Sequence, residues 1–245
     1  MRAIAVIPAR LASTRLPRKV LREIAGRPML AHVYQAARSC PALQDVIVAT
    51  DSDEIAAVCR DNGWNCRLTS PEHRSGTERI HEVAQAVEAD VYLNVQGDEP
   101  LARPEHLDTL LALMERNDVQ VGTLKTTCPA GDVNNPNAVK VVTALDGRAL
   151  YFSRAPIPFD RDGSGGPYYK HLGFYAYRKA ALDAFCAWPE SQLEHSERLE
   201  QLRFLEHGIA IRVAETPFDT IGVDTEEDLR RAEEILRATS RAVAE

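Results

Sequence analysis

Along the first half of the chain, short apolar runs alternate with stretches of helical spacing. RAIAVIPA, DVIVAT and DVYLNVQ are continuous and of strand length, the pattern of strands buried on both faces. CRLTS reads as a further short strand. Between these runs lie helix-start signals. Pro28 suits a first helical position and opens a helix to about Arg38. Asp51 with Glu54, and Ser75 with Glu78, have capping-box spacing; the first helix ends near Gly63 and the second near Glu88. Pro104 begins another, to about Arg116. This βα alternation predicts an α/β fold with a mixed, mostly parallel sheet flanked by helices.

The second half reads differently. VQVGTLKTTC, AVKVVTA, ALYFSR and GFYAYR are strand-like with little helix between them, which predicts a small antiparallel sub-lobe within residues 119–178. Helices follow at residues 182–187 and 194–207, then a strand at IAIRVAE and a closing helix from about Thr225. Residues 160–167, DRDGSGGP, have the composition of a loop. With 245 residues and no clear linker, the expectation is one domain over residues 1–245.

Composition excludes several classes. No apolar run approaches the roughly 18–20 residues of a membrane span, and AIAVIPA is too short for a secretory signal, so a cytoplasmic protein is expected. The five cysteines include no C-x-x-C pair, which argues against a disulfide framework or a zinc site. The net charge of −7 argues against a nucleic-acid binder. That charge is uneven: residues 1–30 carry +6 and the remainder −13. A local basic patch on an acidic protein suits a small anionic ligand.

The basic residues cluster just after the first strand, in PARLASTRLPRK. In an open α/β sheet a ligand binds beyond the carboxyl ends of the strands. Four cations, two hydroxyls and many backbone N–H groups there suit a nucleoside triphosphate, although the segment is neither a Walker A loop nor a dinucleotide fingerprint. Phosphoryl transfer also needs a divalent cation, and magnesium takes one or two carboxylates with phosphate oxygens and water. Two aspartates sit at element ends: Asp98 in VQGDEP, a metal ligand or a turn residue, and Asp224 in GVDTEEDL, a metal ligand or a helix N-cap. Asp51-Ser52-Asp53 has the D-x-D form of some glycosyltransferase metal sites, but its place at a helix start favours capping. Arg79, Arg154, His171 and Lys170 could serve an acidic second substrate, while Glu200 and Arg203 also fit an exposed i,i+3 helix pair.

The run IPARLASTRLPRKVL resembles the N-terminal signature of the cytidylyltransferases that activate 3-deoxy-D-manno-octulosonate (Kdo). Eight further segments match in order: ATDSDEI, HRSGTERI, NVQGDEP, NPNAVKVV, YFSRAPIPF, KHLGFYAYR, LEHSERLEQLRFLEHG and GVDTEEDL. Together they cover nearly the whole chain. The resemblance implies a Rossmann-like nucleotidyltransferase fold and a magnesium-dependent enzyme that joins CTP to Kdo for lipopolysaccharide synthesis. It places Arg10, Ser13 and Lys19 on the triphosphate, Gln96 near nucleotide or sugar, and Mg2+ on Asp98 and Asp224. It sets Arg79, Arg154, His171, Tyr175, Glu200 and Gln201 towards the sugar acid, and it implies a homodimer. Lys19 and Arg10 would stabilise phosphate charge during in-line attack by the anomeric hydroxyl. Arg18 and Val20 depart from the glycine and proline usual in the family. Arg18 could reshape the loop or add a phosphate contact; a tolerated surface change is the expectation. Competing readings are a cytidylyltransferase for another 2-keto acid sugar, a glycosyltransferase using Asp51 and Asp53, and a nucleotide-binding protein without turnover.

Overall fold

The computed structural model describes residues 1–13, 15–163 and 165–244, with side chains to residue 239. Thr14 of the basic loop and Ser164 of the segment 160–167 lie outside the described residues. The chain divides into two compact units, Met1–Asp108 with Thr220–Glu245, and Thr109–Asp219.

In chain order the elements are β1 (Ala3–Ala9), β2 (Glu23–Ile24), β3 (Arg27–Pro28), α1 (Met29–Arg38), β4 (Asp45–Thr50), α2 (Asp53–Asp61), β5 (Cys66–Leu68), α3 (Gly76–Ala86), β6 (Val91–Asn94) and α4 (Pro104–Met114). Then come β7 (Val121–Thr127), β8 (Lys140–Thr143), β9 (Ala149–Ser153), β10 (Tyr169–Tyr177), α5 (Lys179–Ala187), α6 (Gln192–Glu197), α7 (Gln201–Glu206), β11 (Ile211–Glu215) and α8 (Glu226–Ala244). The architecture is the expected α/β one, with mostly parallel strands and flanking helices, and a small two-stranded antiparallel sheet is added to it.

In the first unit the strands run β6-β1-β4-β5, all parallel, with Val6 opposite both Ile47 and Asn94. Because they are parallel, their carboxyl ends share one edge, and the segments after Ala9, Thr50 and Asn94 all leave from it. β1 is buried almost throughout, as its unbroken apolar run requires. The β2–β3 hairpin was not anticipated. Its two-residue turn, Ala25-Gly26, has both φ positive (49° and 78°), the mirror-image turn that matches strand twist. Helix α8 clamps this hairpin: Glu226 takes a two-pronged bond from Arg22 (2.6 and 3.1 Å) and Glu233 accepts from the Ala25 N–H (3.1 Å). Beneath lies an apolar cluster of Leu16, Ile24, Met29, Val223, Leu229 and Ala232.

The second unit has a mixed sheet. β11 pairs parallel with β7, β7 antiparallel with β10, β10 with β8, and β8 with β9. β10 begins at Tyr169, earlier than its apolar run suggests, with an irregularity between Leu172 and Tyr175.

Other local expectations are corrected. Ser52, not Asp51, caps α2, accepting from the Ile55 N–H. The helix ends by Asn62, as expected, and Gly63 (φ 67°) takes the left-handed position beyond it. At α3 the Ser75 cap forms, but Glu78 accepts from the Arg74 N–H, and the helix stops at Ala86. The helix expected over residues 194–207 is two. Arg198 takes a left-handed conformation (φ 54°), breaking it between α6 and α7. Arg203 is therefore not an exposed partner on a continuous helix. It is buried, bonded to Glu194 (2.6 and 2.5 Å) and to the carbonyls of Phe185 and Trp188 at the end of α5.

Arg203→Met should strand the buried Glu194 carboxylate and lower stability by about 3–5 kcal/mol. Urea denaturation checks this; a loss under about 1 kcal/mol would mean that the pair is not a structural tie.

Candidate active site

The basic loop leaves the carboxyl end of β1 and is rooted by Leu16 in the cluster under α8. A short 3-10 turn, Lys19–Leu21, ends it. Two other segments come to the same edge. Gly97, after β6, lies so close to β1 that a Cβ there would stand 2.9 Å from the Pro8 carbonyl oxygen, so only glycine allows this approach. The segment before α8 returns along it, with the Val223 N–H donating to the Asp98 carbonyl (2.9 Å).

Lys19 sits where these segments meet. Its ammonium donates to Asp98 Oδ2 at 2.5 Å and to Asp224 Oδ1 at 2.8 Å, and its side chain is only 13% exposed. Arg15 reaches the other oxygen of Asp224 at 2.8 Å. Burial disfavours the charge on Lys19, but the two carboxylates outweigh it and hold its pKa above the ordinary lysine value.

Asp98 lies in the turn expected of it, closed by the Glu99 N–H on the Gln96 carbonyl (3.1 Å). Asp224 is not the N-cap of α8. Thr225 and Asp228 form that cap reciprocally: Thr225 Oγ1 accepts from the Asp228 N–H (3.2 Å) and Asp228 Oδ2 from the Thr225 N–H (2.9 Å). The Asp224 carboxylate is thereby left for Lys19 and Arg15. Asp98 likewise turns its carboxylate to Lys19. Glu99 and Thr220 are a pair that motif reading missed. Glu99 is buried, and the buried Thr220 hydroxyl donates to its Oε2 at 2.6 Å, tying the Asp98 segment to the one leading to Asp224. Nothing in the local sequence joins residues 121 positions apart.

Asp98 and Asp224 fit a magnesium ion by the chemistry of the donor set. Two carboxylates already converge on one cation, and no group of three or more His, Cys, Asp or Glu side chains suited to a metal occurs among the described residues. Magnesium takes few protein carboxylates and completes its shell with water and phosphate.

The remaining expected residues are placed as follows. Arg10 is exposed at the start of the loop. Ser13 accepts a long bond from the Leu16 N–H (3.4 Å). Gln96 faces the start of α3, where a Cβ on Gly76 would come 3.7 Å from its Oε1. Arg79 is buried and held by Asp51 (2.9 Å) and the Thr69 hydroxyl, so Asp51 serves an ion pair.

In the second unit, the Arg154 guanidinium donates to the carbonyls of Glu197 (2.7 Å), Pro136 (2.9 Å) and Arg198 (3.3 Å). Lys140, completely buried, gathers the carbonyls of Asn135, Ala138 and Arg154 at 2.6–2.8 Å. His171 packs between the rings of Phe152 (4.9 Å) and Tyr175 (5.4 Å). Its Nε2 meets Thr123 Oγ1 at 2.9 Å. With that hydroxyl giving its proton to the Phe174 carbonyl (2.7 Å), Nε2 is the ring nitrogen that donates to Thr123. Burial lowers the His171 pKa to about 3. Burial, with Tyr177 and Glu200 nearby, raises that of Tyr175 well above its ordinary value. Gln201 is buried at the start of α7, beside half-buried Glu200.

The Arg18 guanidinium pairs with Glu54. The Arg18 backbone is left-handed (φ 57°, ψ 30°), the conformation glycine adopts freely.

Comparison with known proteins places these features. Residues 4–212 match the family described as Cytidylyltransferase. The 3-deoxy-manno-octulosonate cytidylyltransferase of Koribacter versatilis is 72% identical over 97% of this chain and 91% of its own. That of Acidobacterium capsulatum is 58% identical over 96% and 97%. Among solved structures, a CMP:2-keto-3-deoxy-manno-octonic acid synthetase complexed with CTP superposes with a TM-score of 0.93 at 41% identity, covering 98% of this chain and all of that one.

Two outcomes test the site. Arg18→Gly removes a left-handed cost of roughly 1–2 kcal/mol, but loses an exposed ion pair worth under about 1 kcal/mol and adds unfolded-chain entropy of about 0.5–1 kcal/mol. Stability should stay within about 1 kcal/mol, with the KM for CTP unchanged. A KM rise of about tenfold would make Arg18 a ligand. His171 binds its proton more weakly folded than unfolded, so its contribution to stability is full above pH 6.5 and is lost as pH falls towards about 3. The slope is about 1.4 kcal/mol per pH unit, and His171→Gln should flatten the acid limb of a pH–stability curve measured in urea.

Proposed function

The chain belongs to the 3-deoxy-manno-octulosonate cytidylyltransferase family, and from that premise we propose how it transfers CMP from CTP to Kdo with release of pyrophosphate. The observation that carries the reading is the convergence of Asp98 and Asp224 on the Lys19 ammonium, beyond the carboxyl ends of parallel strands.

Asp98 and Asp224 would hold Mg2+, which would supply positive charge against the phosphate oxygens. Lys19, with its pKa raised, keeps its proton and acts as a hydrogen-bonding cation towards those oxygens, not as a base. Arg10 and Ser13, with Gln96, orient CTP along the basic loop. Arg15, bonded to Asp224, adds a cation beside it. Positioning and charge then carry most of the barrier reduction, as is usual for transfer at phosphorus.

In the second unit, His171, Tyr175, Glu200, Gln201 and Arg154 are the residues for the sugar acid. His171 and Tyr175, both uncharged at neutral pH, recognise hydroxyls by hydrogen bonds. Arg154 has N–H groups beyond those bonded to carbonyls, and these suit a carboxylate. Arg79 works mainly by holding the segments after β4 and β5 through Asp51 and Thr69.

The wider setting follows from the same reading: a cytoplasmic enzyme supplying activated Kdo for lipopolysaccharide, without a nucleic-acid partner. No helix among the described residues is long and apolar enough to cross a membrane. A homodimer is implied by the family resemblance.

The test is pyrophosphate release with CTP, Kdo and Mg2+, with each omitted in turn. All three should be required. Asp98→Asn and Asp224→Asn should keep the fold by circular dichroism while turnover falls by a factor on the order of a thousand. Near-normal rates in both variants would overturn the metal assignment.

A further inference from the structure

At the end of β9, in the second unit, Arg154 is held by both ends of its backbone and by its side chain. Its N–H donates to one oxygen of the Glu197 carboxylate at 2.9 Å, while the neighbouring Ser153 hydroxyl donates to the other at 2.6 Å. Its carbonyl accepts from the Lys140 ammonium at 2.7 Å. Its guanidinium donates from Nε to the Glu197 carbonyl (2.7 Å), from one Nη to the Pro136 carbonyl (2.9 Å) and from the other to the Arg198 carbonyl (3.3 Å). The Glu197 and Arg198 carbonyls belong to the end of α6, where helix bonding leaves acceptors over and Arg198 turns left-handed (φ 54°).

Lys140 and Glu197 each serve this seat twice. Lys140, completely buried on β8 opposite Ser153, also bonds the carbonyls of Asn135 (2.8 Å) and Ala138 (2.6 Å), on either side of Pro136. Three carbonyl acceptors need three N–H groups, so this side chain is the ammonium, although burial pulls its pKa below the ordinary lysine value. One charge thus fixes both the loop that offers Pro136 and the backbone that carries Arg154. Glu197 does the same from α6, holding the Arg154 N–H with its carboxylate and the Arg154 Nε with its carbonyl.

We propose that Lys140 and Glu197 are positioning residues for the acidic sugar, which hold the Arg154 guanidinium as a prepared fork for the sugar carboxylate. The role rests on the reading of Arg154 as the partner of that carboxylate. Among the described residues the guanidinium gives one hydrogen bond from each nitrogen, which leaves one N–H on each Nη. Neighbouring cations have less to offer: the three N–H groups of Lys140 are all used, and Lys170 is paired with Asp219 at 2.8 Å. A loose arginine gives up rotamer freedom when it binds an anion, and one already held does not. The benefit therefore falls on binding of the acid and not on the chemistry at phosphorus.

The experiment compares kcat/KM for Kdo with that for its neutral carboxamide, in the full-length protein with CTP and Mg2+. The wild type should prefer the acid by about tenfold or more, and Arg154→Met should remove most of that preference. Glu197→Ala and Lys140→Met should each cut the acid-to-amide ratio at least about threefold and raise the KM for Kdo, with the KM for CTP held within about twofold. General damage to the fold would lower turnover of both sugars alike and leave the ratio intact. Glu197→Gln, which keeps an oxygen for the Arg154 N–H, should return the ratio to within about twofold of wild type. If Lys140→Met does not fold, the half-buried Glu197 decides the matter alone. A wild-type ratio in Glu197→Ala, with the ratio lost in Arg154→Met, would overturn the positioning role and keep Arg154 as the partner of the carboxylate. An unchanged ratio in Arg154→Met would overturn that partnership, and the positioning role with it.

Discussion

The Lys19 ammonium organises the first unit. Its two carboxylate partners lie 79 and 205 residues away in the chain, and both are brought to it by segments that leave or approach the same edge of the parallel strands. A cation so enclosed is tolerable only with its charge balanced, and two carboxylates so close are tolerable only with a cation between them. Each therefore stabilises the others' ionised forms. The result is a compact cluster of two cations and two carboxylates beyond the carboxyl ends of the parallel strands.

The surrounding structure serves that arrangement. Gly97 lets the Asp98 segment lie against β1, and Thr220 with Glu99 ties it to the segment carrying Asp224. Thr225 and Asp228 cap α8 between themselves, so the aspartate just before the helix keeps its carboxylate for the site. α8 in turn grips the β2–β3 hairpin through Glu226 and Glu233, and buries Leu16, which anchors the basic loop. The second unit is held by a different device. Buried cations there are satisfied largely by carbonyl oxygens: Lys140 by three of them, and Arg203 by two as well as by Glu194. Such bonds fix irregular backbone where no strand or helix can.

Arg18 shows what a departure from a family pattern means physically. The backbone at this position is left-handed, which explains glycine there without any appeal to ligand contact. The arginine tolerates the conformation and sends its guanidinium to Glu54.

By itself the sequence determined the α/β class, the parallel strands, the basic loop and the two aspartates, because each is written in contiguous residues: an unbroken apolar run, a dense basic stretch, a carboxylate at an element's end. Motifs matching in order along the chain added the reaction. Only the tertiary structure decided what each polar residue bonds to. Asp224 could have capped α8 until Thr225 and Asp228 were seen to do so. Arg203 looked exposed until Arg198 broke the helix, and the pairs Glu99–Thr220 and Arg79–Asp51 left no local trace. The reason is physical. Periodicity and propensity act over a few residues, whereas the choice of partner for a buried charge is made by groups far apart in the chain that meet only once the core has closed.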